Sequence, residues 1–236
     1  MLSPAGGPDQ PTLTARTLDR GRRLDTYITF VPSDTVVEPA LVRIVKPELP
    51  DLSWTVSHAY VAASNYLPTP SNPLPTEQYC YSDGLNEAGL SAALLALPGT
   101  TFPTSQMPGP GGPQQVFSLL VVAYVLGCYG SIEQLKADIT AGQLVIVAPA
   151  TPTEGYNSYH YIVQDAQRRT LIIESTDEGL ICYDTHDGTA RPEGVLTNAS
   201  AYPWHLANLS NYENLRLPIS QGDAFVPMTN ALNQAG

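Results

Sequence analysis

The stretch YSDGLNEAGLSAALLAL, from Tyr81 to Leu97, decides how the rest of the chain is read. Tyr79 to Ser82 suits the resumption of a strand, and Asp83-Gly84 is a turn signal. Gly89 to Leu97 is an apolar run without the polar positions that would separate a helical period from an alternating one. Its residues permit either a helix or a buried strand. Asp83, Asn86, Glu87 and Gly89 read as turn and helix-start determinants, with Gly89 allowing close packing.

Upstream of this stretch the chain has strand character. LDTYITFV (24–31) and ALVRIV (40–45) are β-rich runs separated by a Pro-Ser-Asp turn, and LSWTVSHAYVAASNYL (52–67) continues them. PTPSNPLPTEQ, from Pro68, is a surface loop, because proline lacks the N–H a central strand would donate. Downstream, PGTTFPTSQMPGPGGPQQ is a second loop, and Gln114 to Leu126 has the length and composition of a buried helix. Ser131 stands three residues before Gln134 in SIEQLKADI, the spacing of a capping box, so a second helix follows. The second half returns to strands in QLVIVAPA, SYHYIVQD, TLIIESTD, GLICYD and GVLTN, with links short enough for hairpins. Strands, helices and strands again make an α+β layer architecture with an antiparallel meander in its second half.

Composition narrows the function classes. The chain has 236 residues, 43% hydrophobic and 14% charged, which suits one sizeable core; its 22 Pro and 18 Gly call for many turns. Eleven basic against 22 acidic residues leave a formal charge of −11, which argues against a nucleic-acid surface or an anionic membrane as partner. The local basic cluster Arg16, Arg20, Arg22 and Arg23 suits a carboxylate ligand or a solvated turn. No secretory signal is visible at the start, and the run from Val116 is too short for a membrane span, so the chain reads as soluble with its compartment unknown. The sequons at Asn198 and Asn208 matter only in an exported protein. Cys80, Cys128 and Cys182 are odd in number and show no paired spacing, so no disulfide framework is expected. Cys182, Asp184 and His186 alternate along one run, but no second cluster completes a four-ligand metal site. The glycines of GPGGP sit among prolines without the strand and helix of a phosphate loop. Neither a metal nor another cofactor is expected.

Several short phrases occur in a particular order: ARTLD (15–19), YSDGLNEAGL (81–90), HYIVQD (160–165) with IIE (172–174), GVLTN (194–198) and WHLANLSNY (204–212). Together they resemble the choloylglycine hydrolase and penicillin V acylase family, and LLAL (94–97) looks more like its Gram-negative-type branch. The resemblance runs over a domain at 15–217, between an irregular segment at 1–14 and a tail at 218–236. It implies an N-terminal nucleophile hydrolase fold, an αββα sandwich, apparently incomplete here. The implied activity is hydrolysis of linear amide C–N bonds in bile salt conjugates, phenoxyacetyl-type penicillins or N-acyl homoserine lactones.

In that family the first residue of the mature chain is a cysteine whose thiolate attacks the carbonyl. Its own α-amino group, with a pKa of about 7.7 to 8.0, serves as the base. By resemblance, Arg16 is the arginine beside the nucleophile, Asp19 holds its amino group, and Asn198 donates to the oxyanion. A position that carries an asparagine or tyrosine in well-studied members falls at Ala96, where only the backbone N–H is left to donate. The acyl group is expected in an apolar cleft near Tyr27 and Trp54. Family spacing puts the nucleophile at or just before Met1, and no cysteine precedes Cys80; Ser3, followed by Pro4, is a poor substitute. A late Ser-Arg-Phe segment of the family has no counterpart, since nothing after Arg216 is positively charged. The expectation is a chain inactive as written or, alternatively, a non-catalytic ligand-binding or regulatory homologue on the same scaffold. Its partner would be a small-molecule amide, with a homo-oligomer possible.

Overall fold

The computed structural model describes residues 12–17, 26–38, 52–64, 80–103, 112–148, 158–184 and 194–211. They include eleven strands: β1 (Tyr27–Val31), β2 (Val36–Val37), β3 (Trp54–Thr55), β4 (Tyr60–Ser64), β5 (Tyr81–Asn86), β6 (Ser91–Ala96), β7 (Gln114–Phe117), β8 (Leu144–Val147), β9 (Tyr159–Gln164), β10 (Thr170–Thr176) and β11 (Gly179–Asp184). The helices are α1 (Val121–Cys128), α2 (Ile132–Thr140) and α3 (Tyr202–Ser210). Two compact units divide the chain, residues 1–201 and 202–236; α3 belongs to the second.

Seven strands form one antiparallel sheet in the order β1-β4-β5-β6-β9-β10-β11. The Tyr81–Leu97 stretch supplies its centre. Gly89, at a φ of 88°, closes a tight turn between β5 and β6, so the apolar run after it pairs with β9 as a strand. Asp83-Gly84, read from sequence as a turn, lies inside β5.

Each face of the sheet follows from the two-residue period of its strands. Ala92, Tyr161, Val163, Leu171 and Ile173 belong to the core cluster that includes nearly all of α1. α1 is apolar all round, with Val121 to Gly127 buried, which suits a helix enclosed by sheet and neighbours. α2 instead buries only Ile132, Leu135 and Ile139, the spacing of one helix face. Ser131 Oγ accepts the Gln134 N–H at 3.3 Å, and Gln134 Oε1 reaches back to the Gly130 N–H at 3.2 Å, one residue beyond the usual capping box.

Three expectations need correction. Gln114 to Leu126 is not one helix: Gln114–Phe117 pairs in parallel with β8, a 3-10 turn covers Ser118–Leu120, and only then does α1 begin. A parallel pair needs a long crossover, and α1 with α2 provides it, so strand pairing overrides the apolar pattern of the run. For the same reason QLVIVAPA is not part of the meander, which consists of β9, β10 and β11. GVLTN forms no strand either; it runs along β9, where Gln164 Nε2 donates to the Gly194 carbonyl at 3.3 Å. The ALVRIV run and the proline-rich loop from Pro68 lie outside the described residues.

Candidate active site

Opposite the helices, the sheet presents a second face. Register places Ile28 and Phe30 of β1, Val61 and Ala63 of β4, Asp83 and Leu85 of β5, Ala93 and Leu95 of β6, and His160, Ile162 and Gln164 of β9 on it. Ile28, Phe30, Val61 and Leu85 are exposed there.

Arg16 lies on this face. Its Nη1 donates to the Ser82 carbonyl and stands 3.5 Å from Asp83 Oδ2, with only 14% of the side chain exposed. A cavity of about 210 Å³ beside it is lined by Ile28, Val61, Ala63 and Leu85. A half-buried guanidinium next to an apolar wall can receive an acyl group carrying a carboxylate or carbonyl oxygen.

Asn198 and Ala96 meet directly. The Ala96 N–H donates to Asn198 Oδ1 at 3.0 Å, and the Ala199 N–H returns a bond to the Ala96 carbonyl at 2.9 Å. With its oxygen engaged, the Asn198 amide has its two Nδ2 hydrogens as donors. Ala96 thus orients the amide through its backbone. Asp83 pairs with Ala93, and Ala96 is three residues farther along β6, about 10 Å at the usual strand rise. His160, which shares the Asp83 face, bonds the Thr197 carbonyl, so the loop that carries Asn198 crosses the face on which Arg16 lies.

The other sequence-derived residues fall elsewhere. Trp54 is buried on the helix side, its ring edge-on to Tyr124 at 5.4 Å. Tyr27 shares the strand face of buried Val31, so Ile28, not Tyr27, borders the Arg16 cavity. Asp19 lies outside the described residues. Cys80 belongs to the helix-side core, and Cys128 and Cys182 pack against it. Burial pushes the Cys128 thiol up to about 12, which suppresses the thiolate a nucleophile needs. Asp184 takes part in ion pairs with Lys136 and Arg169; His186 lies outside the described residues. Among the described residues no helix is long and apolar enough to cross a membrane.

Three residues were not assigned to the site from sequence. Asp83, read as a turn former, is the carboxylate beside Arg16. His160 and Glu174 were noticed only as parts of phrases, yet their side chains are 0% and 3% exposed and joined at 3.0 Å. Their signal in the sequence is the imidazole of β9 and the carboxyl group of β10, each the one His, Asp, Glu, Lys or Arg of its strand.

Among the described residues one large antiparallel sheet carries helices on one face, which corresponds to one sheet and one helical layer of the αββα N-terminal nucleophile hydrolase fold. Penicillin V acylase from Agrobacterium tumefaciens matches with a TM-score of 0.66 at 21% identity, over 89% of this chain and 56% of that one. A variant of conjugated bile acid hydrolase from Clostridium perfringens matches at 0.60 and 22%, over 83% and 52%. The chain belongs to the family described as linear amide C–N hydrolases, choloylglycine hydrolase family, whose model matches residues 7–231. Sequence relatives are the bile salt hydrolase/transferases of Lactiplantibacillus plantarum and Clostridium perfringens. The former is 28% identical over 200 residues, 83% of this chain and 53% of that enzyme. The latter is 27% identical over 136 residues, 58% of this chain and 39% of that enzyme. This chain spans about half the length of the curated relatives it matches or less.

Proposed function

We propose that these 236 residues carry the substrate-orienting and oxyanion-binding part of an amidase for linear C–N bonds, and that by themselves they do not turn substrate over. The observation that carries this reading is the Asn198 amide, held at its oxygen by the Ala96 N–H, in the loop that His160 anchors over the sheet face where Arg16 lies. The substrate class is an N-acyl amide with an apolar acyl group: a bile salt conjugate, a phenoxyacetyl penicillin or an N-acyl homoserine lactone.

In the complete reaction a cysteine thiolate adds to the amide carbonyl. The S–C bond forms as the carbonyl π pair moves onto oxygen, and Asn198 Nδ2–H stabilises that oxyanion. Its collapse expels the amine, which takes a proton from the nucleophile's α-ammonium group, and water then hydrolyses the thioester. Arg16 orients the acyl end and favours the thiolate, and Asp19 steadies the amino group. No cysteine precedes Cys80 in these residues, and the three cysteines present belong to the helix side of the sheet. A second reading is a ligand-binding homologue that uses the same groups without a covalent step; it is favoured by the packing of Cys80, Cys128 and Cys182 on the helix side, away from Arg16 and Asn198.

The test is amine release from phenoxyacetyl and bile salt amides by the purified 236-residue chain, for which no burst above buffer is expected. Turnover that disappears in Asp19→Asn but survives in Val36→Thr, a change at an exposed strand position, would overturn the proposal.

A further inference from the structure

The structure assigns to His160 and Glu174 a positioning role: through the Thr197 carbonyl they hold the Asn198 amide in its donating orientation. This rests on the reading of Asn198 as the oxyanion donor. His160 Nε2 lies 3.0 Å from the Thr197 carbonyl oxygen, and His160 Nδ1 lies 3.0 Å from Glu174 Oε1. A carbonyl can only accept, so Nε2 carries a proton in every state that makes this contact. The nitrogen that donates is set by what the other one meets, here the carboxyl group of Glu174. Glu174 therefore fixes the ring plane, and Nε2–H faces the loop either when a Glu174 O–H donates to Nδ1 or when a carboxylate accepts from a doubly protonated ring.

The loop needs such holding. Ala199 and Ser200 have φ values of 56° and 70°, consecutive left-handed positions without glycine, and strained backbone of this kind persists only where its surroundings over-determine it. Four contacts fix the segment from the sheet side, one of them the Ala199 N–H to the Ala96 carbonyl at 2.9 Å. Gln164 Nε2 donates to the Gly194 carbonyl, His160 Nε2 to the Thr197 carbonyl, and the Ala96 N–H to Asn198 Oδ1. His160 and Gln164 are four residues apart on β9, on one face, so the strand lays the segment down at two points before it reaches Asn198.

Stability alone gives little reason for the pair. A buried ionisable couple bears a desolvation cost that an apolar pair of similar volume avoids, and such replacements are often neutral or stabilising. Its position directly under the residue preceding Asn198 supplies the reason.

The experiment uses the full 236-residue chain and two NMR readouts. The first is the amide hydrogen-exchange rate of Ala96, whose N–H is bound by Asn198, with Leu97, whose N–H donates to the Ser158 carbonyl, as internal control. His160→Phe and Glu174→Ala are expected to raise Ala96 exchange at least about tenfold, the ratio for one lost hydrogen bond of ordinary strength, with Leu97 unchanged. Glu174→Gln can still meet Nδ1 with its N–H or its carbonyl oxygen and is expected to stay within about threefold of the wild-type rate. If His160→Phe does not fold, the Glu174→Ala and Glu174→Gln pair decides. Wild-type exchange at Ala96 in folded Glu174→Ala, or equal loss in Glu174→Gln and Glu174→Ala, would overturn the proposal. The second readout is the shift of the Asn198 side-chain NH2 resonances on titration with phenoxyacetate. Absence of that shift in the wild-type chain counts against the oxyanion reading alone, and the Ala96 rates still decide the tether.

Discussion

Gly84→Ala tests the packing of α1 on the sheet. A Cβ at this position would stand 2.6 Å from Leu126 Cδ1, 2.6 Å from the Val61 carbonyl oxygen and 2.9 Å from Ala62 Cβ. Carbon atoms settle at about 3.5 to 4.0 Å, so the two carbon contacts are too close by roughly an ångström or slightly less. Two of the three neighbours are backbone or Cβ and cannot swing aside. Leu126 cannot retreat easily either, because its carbonyl accepts from Asn86 Nδ2 at 2.9 Å and its side chain is fully buried. Over-packing of this kind costs about 1 to 3 kcal/mol, and the rigid neighbours put this case near the top of the range. Removing a strand glycine returns about 0.5 to 1 kcal/mol of backbone entropy. The net expectation is a loss of about 2 kcal/mol, or about 4 to 8 °C in Tm for a chain of this size. Urea unfolding followed by circular dichroism measures it, with an unchanged m-value confirming that the native state is what changed. Adding Leu126→Ala removes one of the three contacts and leaves the Val61 carbonyl, so the double variant should be less destabilised than the sum of the singles. A Gly84→Ala chain within 0.5 kcal/mol of wild type, or strict additivity with Leu126→Ala, would refute this packing account.

Two further outcomes follow from buried groups. Asn86 donates to the Leu126 and Tyr129 carbonyls at 2.9 and 2.8 Å and accepts the Leu90 N–H at 2.9 Å. Asn86→Ala leaves buried polar groups unmet and should cost about 3 kcal/mol by urea titration. Asn86→Asp should be no milder, since it sets an acceptor against two carbonyls; a benign aspartate would sink that account. Burial pushes the Cys128 thiol from 9.0 and the Tyr124 hydroxyl from 10.0 up to about 12. The unfolded chain then loses these protons first, so their contribution is complete below about pH 9 and is lost as pH rises toward 12. The urea midpoint should fall between pH 8.5 and about 11, and native Cys128 should resist iodoacetamide at pH 8; rapid labelling there would contradict it.

The strand readings illustrate what local pattern can carry. β9 and β10 announce themselves by their apolar, β-branched composition, and the Asp-Ala-Gln-Arg-Arg link is read correctly as a hairpin because Asp165 Oδ1 accepts from the Gln167 and Arg169 N–H groups. Gly89 to Leu97 could not be settled the same way, since helix and strand periods look alike in a run without polar residues. Its pairing with β9, a partner more than sixty positions away, decides it. Gln114 to Phe117 misleads for the converse reason: it has helix-like neighbours but a parallel partner in β8. In the site, Arg16, Asn198 and Ala96 are singled out from ordered phrases. That Ala96 contributes by bonding the Asn198 oxygen depends on where a loop 102 residues farther along the chain comes to rest.

By itself, the amino-acid sequence determined the family, the α+β class and the residue types a linear amidase needs, because ordered phrases and strand composition are local properties of the chain. Tertiary structure alone decided which face each group occupies. Sheet register sends Asp83 and His160 to one side and Tyr161 and Cys182 to the other, and a two-residue period turns a single register choice into the position of every side chain along a strand. The same register brings the buried His160 against the Thr197 carbonyl, next to the asparagine proposed as the oxyanion donor.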